Sequence, residues 1–294
     1  AEKSEWRYVM KGIILSAGKG TRLYPATMPV CKPLIPLYDK PLIYYPLDVL
    51  LRAGIKDILI IVPPELQQPF EQLFGDGSRL GISISYIEQK VQRGVADAFL
   101  VGKDFIGDDD VCLVLGDNVF YGPGLDDCLN KVREKNSGAT VFGHYVEDPR
   151  AFGVVEFDNN GKVISIEEKP AKPKSNYIIP GLYFYDNRVV KIAESIEPSE
   201  RGELEITSIN NEYLAKGQLD LVKFGREFFW ADAGNASNLL EAANTVRVLQ
   251  EFTGSIIGCI EETAYRHGYI DREQLINAGN SMKKTEYGKY ILSL

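Results

Sequence analysis

Several short stretches carry residue types suited to phosphate and metal chemistry. In KGIILSAGKGTRL, a strand-like apolar run from Lys11 to Ser16 delivers the chain into Ala17-Gly18-Lys19-Gly20-Thr21-Arg22. Glycines let a backbone come close to a phosphate and turn its N–H groups inward. Arg22 adds a planar cation matched to phosphate oxygens. Two common nucleotide loops are absent: Gly20 is followed by Thr21 and Arg22 where a P-loop needs Lys, and GxGxxG lacks its third glycine. A tight strand–turn with a solvated arginine would account for the same residues. Ten residues past Arg22, Lys32 stands in CKPLIP, where prolines stiffen the backbone around it. A lysine held in this way meets a phosphate as a point charge; the plain alternative is a Pro-rich loop with surface lysines.

Two acids follow strand-like runs. Asp117, in Leu115-Gly116-Asp117-Asn118, comes directly after the apolar VCLVL. Ligands of open α/β sheets bind at the carboxyl ends of strands, so a carboxylate there is placed to hold Mg²⁺ against a triphosphate. A strand-end turn is the competing reading, since Asp and Asn are ordinary in turns. Asp232, in FFWADAG, follows an aromatic strand and precedes a helix starting near Asn235, so it reads either as a metal ligand or as a helix cap. On the organic side of the chemistry, Gln89 ends ISISYIEQ and Gly94 opens the next helical pattern. A Gln amide donates and accepts at once, which matches the O4/N3 edge of thymine or uracil. In EEKP, Glu168 can accept from two hydroxyls and Lys169 can neutralise a phosphate; a solvated charge run is the alternative.

The elements that must position these residues are legible in outline. Strand-like runs at 11–16, 58–63, 82–89 and 111–115 alternate with helical patterns at 42–54, 64–74 and 94–105. That rhythm predicts crossover units and a mostly parallel sheet covered on both faces. Beyond residue 138 the pattern changes to ATVFGHYV, GVVEFD, KVISIEEK and GLYFYD, strands with little helix between them and a hairpin turn at Asn159-Asn160-Gly161. Helical patterns return at 203–215 and 235–250, and the last forty residues read as short helices. The expected fold class is therefore α/β, a Rossmann-like mostly parallel central sheet with an inserted antiparallel lobe and C-terminal helices. Residues 1–9 are set aside as an extension, leaving a single domain over 10–294 with lobes at about 10–137 and 138–234 and a helical region at 235–294.

Composition narrows the class further. Lys and Arg number 33 against 41 Asp and Glu, a net charge of −8, which argues against a general nucleic-acid binder. Cys31, Cys112, Cys128 and Cys259 show no CxxC spacing, so neither a zinc site nor a disulfide scaffold is expected. No apolar run approaches the roughly 20 residues of a membrane span. The charged start AEKSEWRYVM has no signal-peptide core, and a cytoplasmic location is expected.

Taken together, GxGTRL…KP, YDKPLIYYPL, LGDN, GVVEFD, EEKP, GLYFYD and RGELEIT occur in an order and at spacings that resemble the bacterial glucose-1-phosphate thymidylyltransferases, within the sugar-1-phosphate nucleotidylyltransferases. The resemblance runs from about Met10 to the C-terminus. It implies transfer of a nucleotidyl group from dTTP to glucose 1-phosphate, giving dTDP-glucose and pyrophosphate, with Mg²⁺ held by Asp117 and Asp232. Arg22, Lys32, Asp117 and Lys169 would be catalytic. Leu15, Ala17, Gly18, Gly20, Thr21, Arg22, Gln89 and Gly94 would bind the nucleotide. The sugar would meet Asn118, Phe152, Gly153, Glu168, Lys169, Ile179 and Arg201, the last of which also reads as helix-start electrostatics with Glu203 and Glu205. The sugar phosphate is already an anionic nucleophile, and neither His144 nor His267 lies in these motifs. The chain departs from the family pattern at Pro33, at Asp97 (often Gln), at Phe152 (often Tyr) and at 233–236, where Thr-Gly-Thr-His is usual. Uridylyl transfer or another hexose 1-phosphate is the alternative within enzymes. A non-catalytic nucleotide-sugar-binding regulator is a third reading, disfavoured because Arg22, Lys32, Asp117 and Asp232 are all present. Apolar residues in the tail, among them Ile256, Ile257, Ile260, Tyr265, Tyr269, Ile270, Tyr287, Tyr290, Ile291 and Leu292, either cap the protein's own core or meet another subunit. The resemblance implies a homotetramer with a second nucleotide-sugar site at a subunit interface, inhibited by a downstream product such as dTDP-rhamnose.

Overall fold

The computed structural model describes residues 9–135 and 137–294; residues 1–8, nearly all of the expected extension, lie outside the described residues. The chain opens with β1 (Met10–Leu15), the short hairpin β2 (Pro36–Leu37) and β3 (Lys40–Pro41), and α1 (Tyr44–Arg52). Next come β4 (Asp57–Val62), α2 (Gln67–Phe74), β5 (Ser83–Glu88), α3 (Asp97–Val101), α4 (Lys103–Ile106), β6 (Asp110–Leu115), β7 (Asn118–Tyr121) and α5 (Leu125–Lys135). A strand-rich stretch follows: β8 (Ala139–Tyr145), β9 (Gly153–Phe157), β10 (Val163–Glu168), β11 (Tyr177–Ile178) and β12 (Leu182–Tyr185). Two helices and two strands, α6 (Arg188–Ser195), α7 (Ile206–Ala215), β13 (Leu219–Lys223) and β14 (Phe229–Asp232), lead to α8 (Ala236–Thr253), α9 (Ile260–Arg266), α10 (Arg272–Ser281) and α11 (Glu286–Ser293).

At the centre β5, β4, β1 and β6 run parallel in that order. Successive side chains of a strand point to opposite faces, and both faces here are covered. Ile14, Ile58, Ile60, Cys112 and Val114 pack with Leu47, Leu50 and Leu51 of α1. Ile13, Leu59, Ile61, Val111 and Leu113 pack with Phe99 of α3 and Val189 of α6. Burial on both sides explains why β1, β4 and β6 read as continuous apolar runs, whereas β5 at the sheet edge alternates, with Ser83, Ser85 and Ile87 exposed. The antiparallel strands extend the same sheet: β12 pairs with β6, and β8, β11, β9 and β10 continue outward, with β13 parallel to β8. The expected α/β class, with its parallel core, antiparallel insertion and C-terminal helices, is what the chain adopts. Among the described residues no helix is long and apolar enough to cross a membrane.

Differences in detail have local causes. The helix expected over 94–105 starts only at Asp97, because Gly94 takes φ 109°, and it divides into α3 and α4 at Gly102. The helix expected over 64–74 begins at Gln67, since Glu65 adopts φ 65° and donates its N–H to Glu88 Oε1 at 2.8 Å. In the tail Ile257, Ile260, Ile270, Tyr287 and Ile291 are buried, and Ile256, Tyr265, Tyr269 and Tyr290 pack against the same core. The tail therefore covers α1, and a polar cluster fixes it there. Asp48 of α1 accepts from Thr263 Oγ1 of α9 at 2.5 Å and from Arg52 Nε at 2.7 Å, while Arg52 Nη1 reaches Asp126 Oδ1 at 2.7 Å.

Asp48→Ala leaves the buried Thr263 hydroxyl without an acceptor and removes one of the two anions on Arg52. We expect a loss of about 2–3 kcal/mol in urea-induced unfolding; a change within about 0.5 kcal/mol, the range of ordinary surface substitutions, would show that this cluster does not hold the tail.

Candidate active site

The glycine loop leaves the carboxyl end of β1 and is fastened at once. Gly20 takes φ 63°, and a Cβ there would lie 3.0 Å from Thr27 Cγ2 and 3.2 Å from Lys32 Cβ. Only glycine lets the loop run this close to the lysine segment. Thr27 Oγ1 donates to Gly20 O at 2.7 Å, and Cys31 Sγ donates to Ser16 O at 3.5 Å, tying the two segments together. The solvated lysine loop is thereby set aside: Lys32 is 7 % exposed and its Nζ forms an ion pair with Asp117 Oδ2, whereas Arg22 is exposed at the mouth of the loop.

The two acids meet because two four-residue strands pair. β7 begins at Asn118 and β14 ends at Asp232, and antiparallel register sets these two residues opposite each other. Ala233 N donates to Asp117 O at 3.1 Å and closes the pair. Asp232 is not the helix cap; that place belongs to Asn235, whose side chain accepts from Asn238 N at 3.0 Å. Burial, then the negative charge of Asp117, pushes the Asp232 carboxyl up to about 6, against the opposing pull of Lys32 and Arg22. Among the described residues, Asp232 Oδ1 is buried with no hydrogen-bond partner. Asn118 braces both sides. Its Nδ2 donates to Asp117 Oδ1 at 2.9 Å, and its Oδ1 accepts from Gly181 N at 3.1 Å and Trp230 Nε1 at 2.7 Å.

Among the described residues no three His, Cys, Asp or Glu side chains gather as a metal cluster. Two hard oxygen donors, one with an orphaned buried oxygen and a carboxyl crowded by its neighbour, nonetheless suit a hard cation that takes one or two carboxylates and completes its shell with water and phosphate.

Beyond the acids opens a cavity of about 310 Å³ lined by Arg22, Asp117, Asn118, Phe152, Gly153, Glu168, Lys169, Ile179 and Asp232. Pairing of β9 with β10 places Glu168 opposite Gly153, and Ile179 N donates to Gly153 O at 2.9 Å. Glu168 is no solvated charge: Thr207 Oγ1 donates to its Oε2 at 2.5 Å. Lys169 takes φ 46°, with its N–H on Phe152 O at 2.9 Å. Phe152 sets its ring edge-on to Trp230, centroids 5.4 Å apart, so the aromatic that replaces the expected tyrosine packs there. Arg201 stays outside the cavity wall, 2.7 Å from Glu205 and 3.7 Å from Glu168 Oε1, consistent with both of its readings. Thr207, Tyr183, Asn210 and Trp230 also line the cavity. Sequence reasoning did not single them out, although three of them sit inside the quoted RGELEIT, GLYFYD and FFWADAG segments.

A second cavity, of about 710 Å³, is lined by Gly18, Lys19, Cys31, Gln89 and Gln92. Gln89 is buried, not a surface residue, and its Nε2 donates to Asp97 Oδ2 at 2.7 Å. Arg93 Nη2 donates to Asp97 Oδ1 at 2.7 Å. Gly94 is needed for shape, since a Cβ there would fall 2.5 Å from Leu204 O. Leu15, Ala17, Gly20, Thr21 and Gly94 line neither cavity; they build the backbone around them.

Known proteins share this arrangement of sheet and loops. Residues 11–248 match the family of nucleotidyl transferases, and the chain belongs to it. Two relatives, the glucose-1-phosphate thymidylyltransferases of Neisseria meningitidis serogroup A and Mycobacterium tuberculosis, are 51 % and 49 % identical over 97 % of this chain and 99 % of their own length. A Bacillus anthracis protein described as a glucose-1-phosphate thymidylyltransferase, solved with sucrose, superposes with TM-score 0.75 at 39 % identity over 81 % of this chain and 96 % of that one. A UDP-glucose pyrophosphorylase superposes with TM-score 0.73 at 22 % identity, covering 82 % of this chain and 99 % of that one, a likeness of fold. Within the nucleotidyl transferases, the chain is a member of the glucose-1-phosphate thymidylyltransferase family.

Asn118→Ala removes the brace between the two acids. Loss of such supporting contacts typically costs about 10–100-fold in activity or metal affinity, and we expect a drop of that size in nucleotidyl transfer while the circular dichroism spectrum is retained. Unchanged turnover would show that Asn118 does not organise the acids.

Proposed function

We propose that the protein transfers the nucleotidyl group of dTTP to α-D-glucose 1-phosphate, forming dTDP-glucose and releasing pyrophosphate. The observation that carries this reading is the apposition of Asp117 and Asp232 beside Lys32, with the Arg22-lined cavity on the sugar side. A phosphate oxygen of the sugar attacks the α-phosphorus, and the bond from that phosphorus to the bridging oxygen of the β-phosphate breaks. No side-chain nucleophile is needed, and the protein's task is alignment and charge neutralisation.

In this reading Lys32 turns from Asp117 to the α-phosphate, Arg22 takes the departing pyrophosphate and Lys169 holds the attacking phosphate. Glu168, fixed by Thr207, accepts from sugar hydroxyls, and the Gly153 backbone frames the ring. Gln89 reads the base, while Gly18 and its loop give the triphosphate close access to backbone N–H groups. Asp117 and Asp232 would hold a divalent cation, Mg²⁺, which when bound supplies positive charge to the triphosphate. The buried oxygen of Asp232 and the crowding of the two carboxylates support that assignment.

Residues 10–294 act as one catalytic domain, with 10–137 serving the nucleotide and 138–234 the sugar. The same reading makes the protein a cytoplasmic homotetramer. Support for assembly comes from α8, where Leu240, Val248 and Phe252 are 64 %, 52 % and 88 % exposed at multiples of four residues along one face. Light scattering at micromolar concentration is expected to read a tetramer, and a stable 32.8 kDa monomer would remove the interface.

A pyrophosphate-release assay with dTTP, Mg²⁺ and glucose 1-phosphate tests the activity, and silence there sinks it. Asp117→Asn keeps the shape of the site and removes a charge. We expect turnover to fall by about 10²–10³-fold, with the fold intact by circular dichroism. Near-normal turnover at ordinary Mg²⁺ would overturn the metal assignment.

A further inference from the structure

We propose that Asp97 is a specificity-determining residue: it locks the Gln89 amide in the one orientation that reads a pyrimidine with N3–H and a 4-oxo group, and so rejects cytosine nucleotides. This rests on the reading of Gln89 as the base contact. An isolated Gln amide is ambivalent, since a half-turn of its terminal group exchanges donor and acceptor. In one orientation it matches the N3–H and O4 of thymine or uracil. In the other it matches the N3 and N4–H₂ of cytosine.

Asp97 removes that freedom. Its carboxylate has no donor, so only the Gln89 amino group can face it, and Nε2 lies 2.7 Å from Oδ2. An amide nitrogen carries one hydrogen directed away from its carbonyl and one alongside it. The former must be the one given to Asp97, because the latter would bring Oε1 against the carboxylate. Oε1 and the second hydrogen are then left together as an acceptor–donor edge on a side chain that lines the larger cavity. Turning the amide over would set Oε1 against a carboxylate in a place without water to relieve it, for Gln89 is 4 % exposed and Asp97 1 %. Arg93 completes the device. Its guanidinium takes the other oxygen, Oδ1, at 2.7 Å and leaves Oδ2 to Gln89. The lock acts on the hydrogen-bonding edge alone and does not touch the thymine methyl, so it separates thymine and uracil from cytosine but not from each other.

The test compares dTTP, UTP and dCTP as substrates, by kcat/KM for pyrophosphate release with glucose 1-phosphate, in the wild type, Asp97→Asn and Asp97→Ala. An asparagine can itself turn to donate to Oε1, and the alanine admits water, so both variants free the Gln89 amide. Sites that bind through placed hydrogen bonds discriminate strongly against mismatched partners. The dTTP-to-dCTP ratio should accordingly fall by about tenfold or more in both variants, with the dTTP-to-UTP ratio unchanged to within about twofold. An unchanged dTTP-to-dCTP ratio overturns the proposal. A parallel loosening toward all three nucleotides also overturns it, since that is the mark of a merely structural role. The rise in melting temperature on adding each nucleotide provides a second reading that needs no turnover. If wild-type protein is stabilised by dTTP yet releases no pyrophosphate, the proposed reaction fails, whereas the lock still stands or falls on whether dCTP stabilises the variants and not the wild type.

Discussion

Two carboxylates side by side in a mostly buried place repel each other, and the rest of the site is arranged around that repulsion. Asp117 and Asp232 are 115 residues apart in sequence and are brought together by the pairing of β7 with β14, two strands of four residues each. Such a short ladder would not persist alone. It is held by Asn118, whose side chain bonds Asp117, the Gly181 backbone and the Trp230 indole at once. Lys32 partners Asp117, and the charge of Arg22 bears on Asp232. Both cations oppose the upward push that burial and the charge of Asp117 exert on the Asp232 carboxyl.

The larger architecture serves this pairing. Asp117 is delivered by β6, which lies inside the sheet with β1 on one side and β12 on the other. Neighbouring β1 delivers the glycine loop to the same end of the sheet, so phosphate-binding backbone and acids arrive together as the geometry of parallel strands requires. The antiparallel extension brings Gly153, Glu168 and Ile179 to the far wall of the cavity. The C-terminal helices take no part in that wall; they seal α1 through Asp48 and Thr263 and leave Leu240, Val248 and Phe252 of α8 exposed.

Much of this was legible in the amino-acid sequence because it is local. The strand that becomes β1, its glycine loop and Lys32 lie within one stretch, and the two acids each follow an apolar run. Strands buried on both faces announce themselves as continuous apolar segments, which is why β1, β4 and β6 could be placed, and the edge strand β5 showed itself by alternation instead. What escaped reading depends on register and on contacts across the chain. Nothing near Glu168 points to Thr207, and nothing near Trp230 points to Asn118, 112 residues away. The strands β2, β3, β7 and β11 have four residues or fewer, too short for a periodic signal. Asp97 could be noticed as a departure from the family pattern, but its consequence needed the buried contact with Gln89. Phe152 was likewise visible as a missing hydroxyl, and only the packed structure supplies its partner, Trp230.

The central claim is that Asp117 and Asp232 act together as one cation site completed by nucleotide phosphates. The most direct measurement is an electron paramagnetic resonance titration of Mn²⁺, as a stand-in for Mg²⁺, into the protein with dTTP bound and no sugar present, for wild type and Asp232→Asn. The account predicts a ternary Mn²⁺ signal in the wild type and an affinity weaker by about tenfold or more in the variant. Equal Mn²⁺ affinity in the two proteins, with dTTP bound equally well by both, would contradict it.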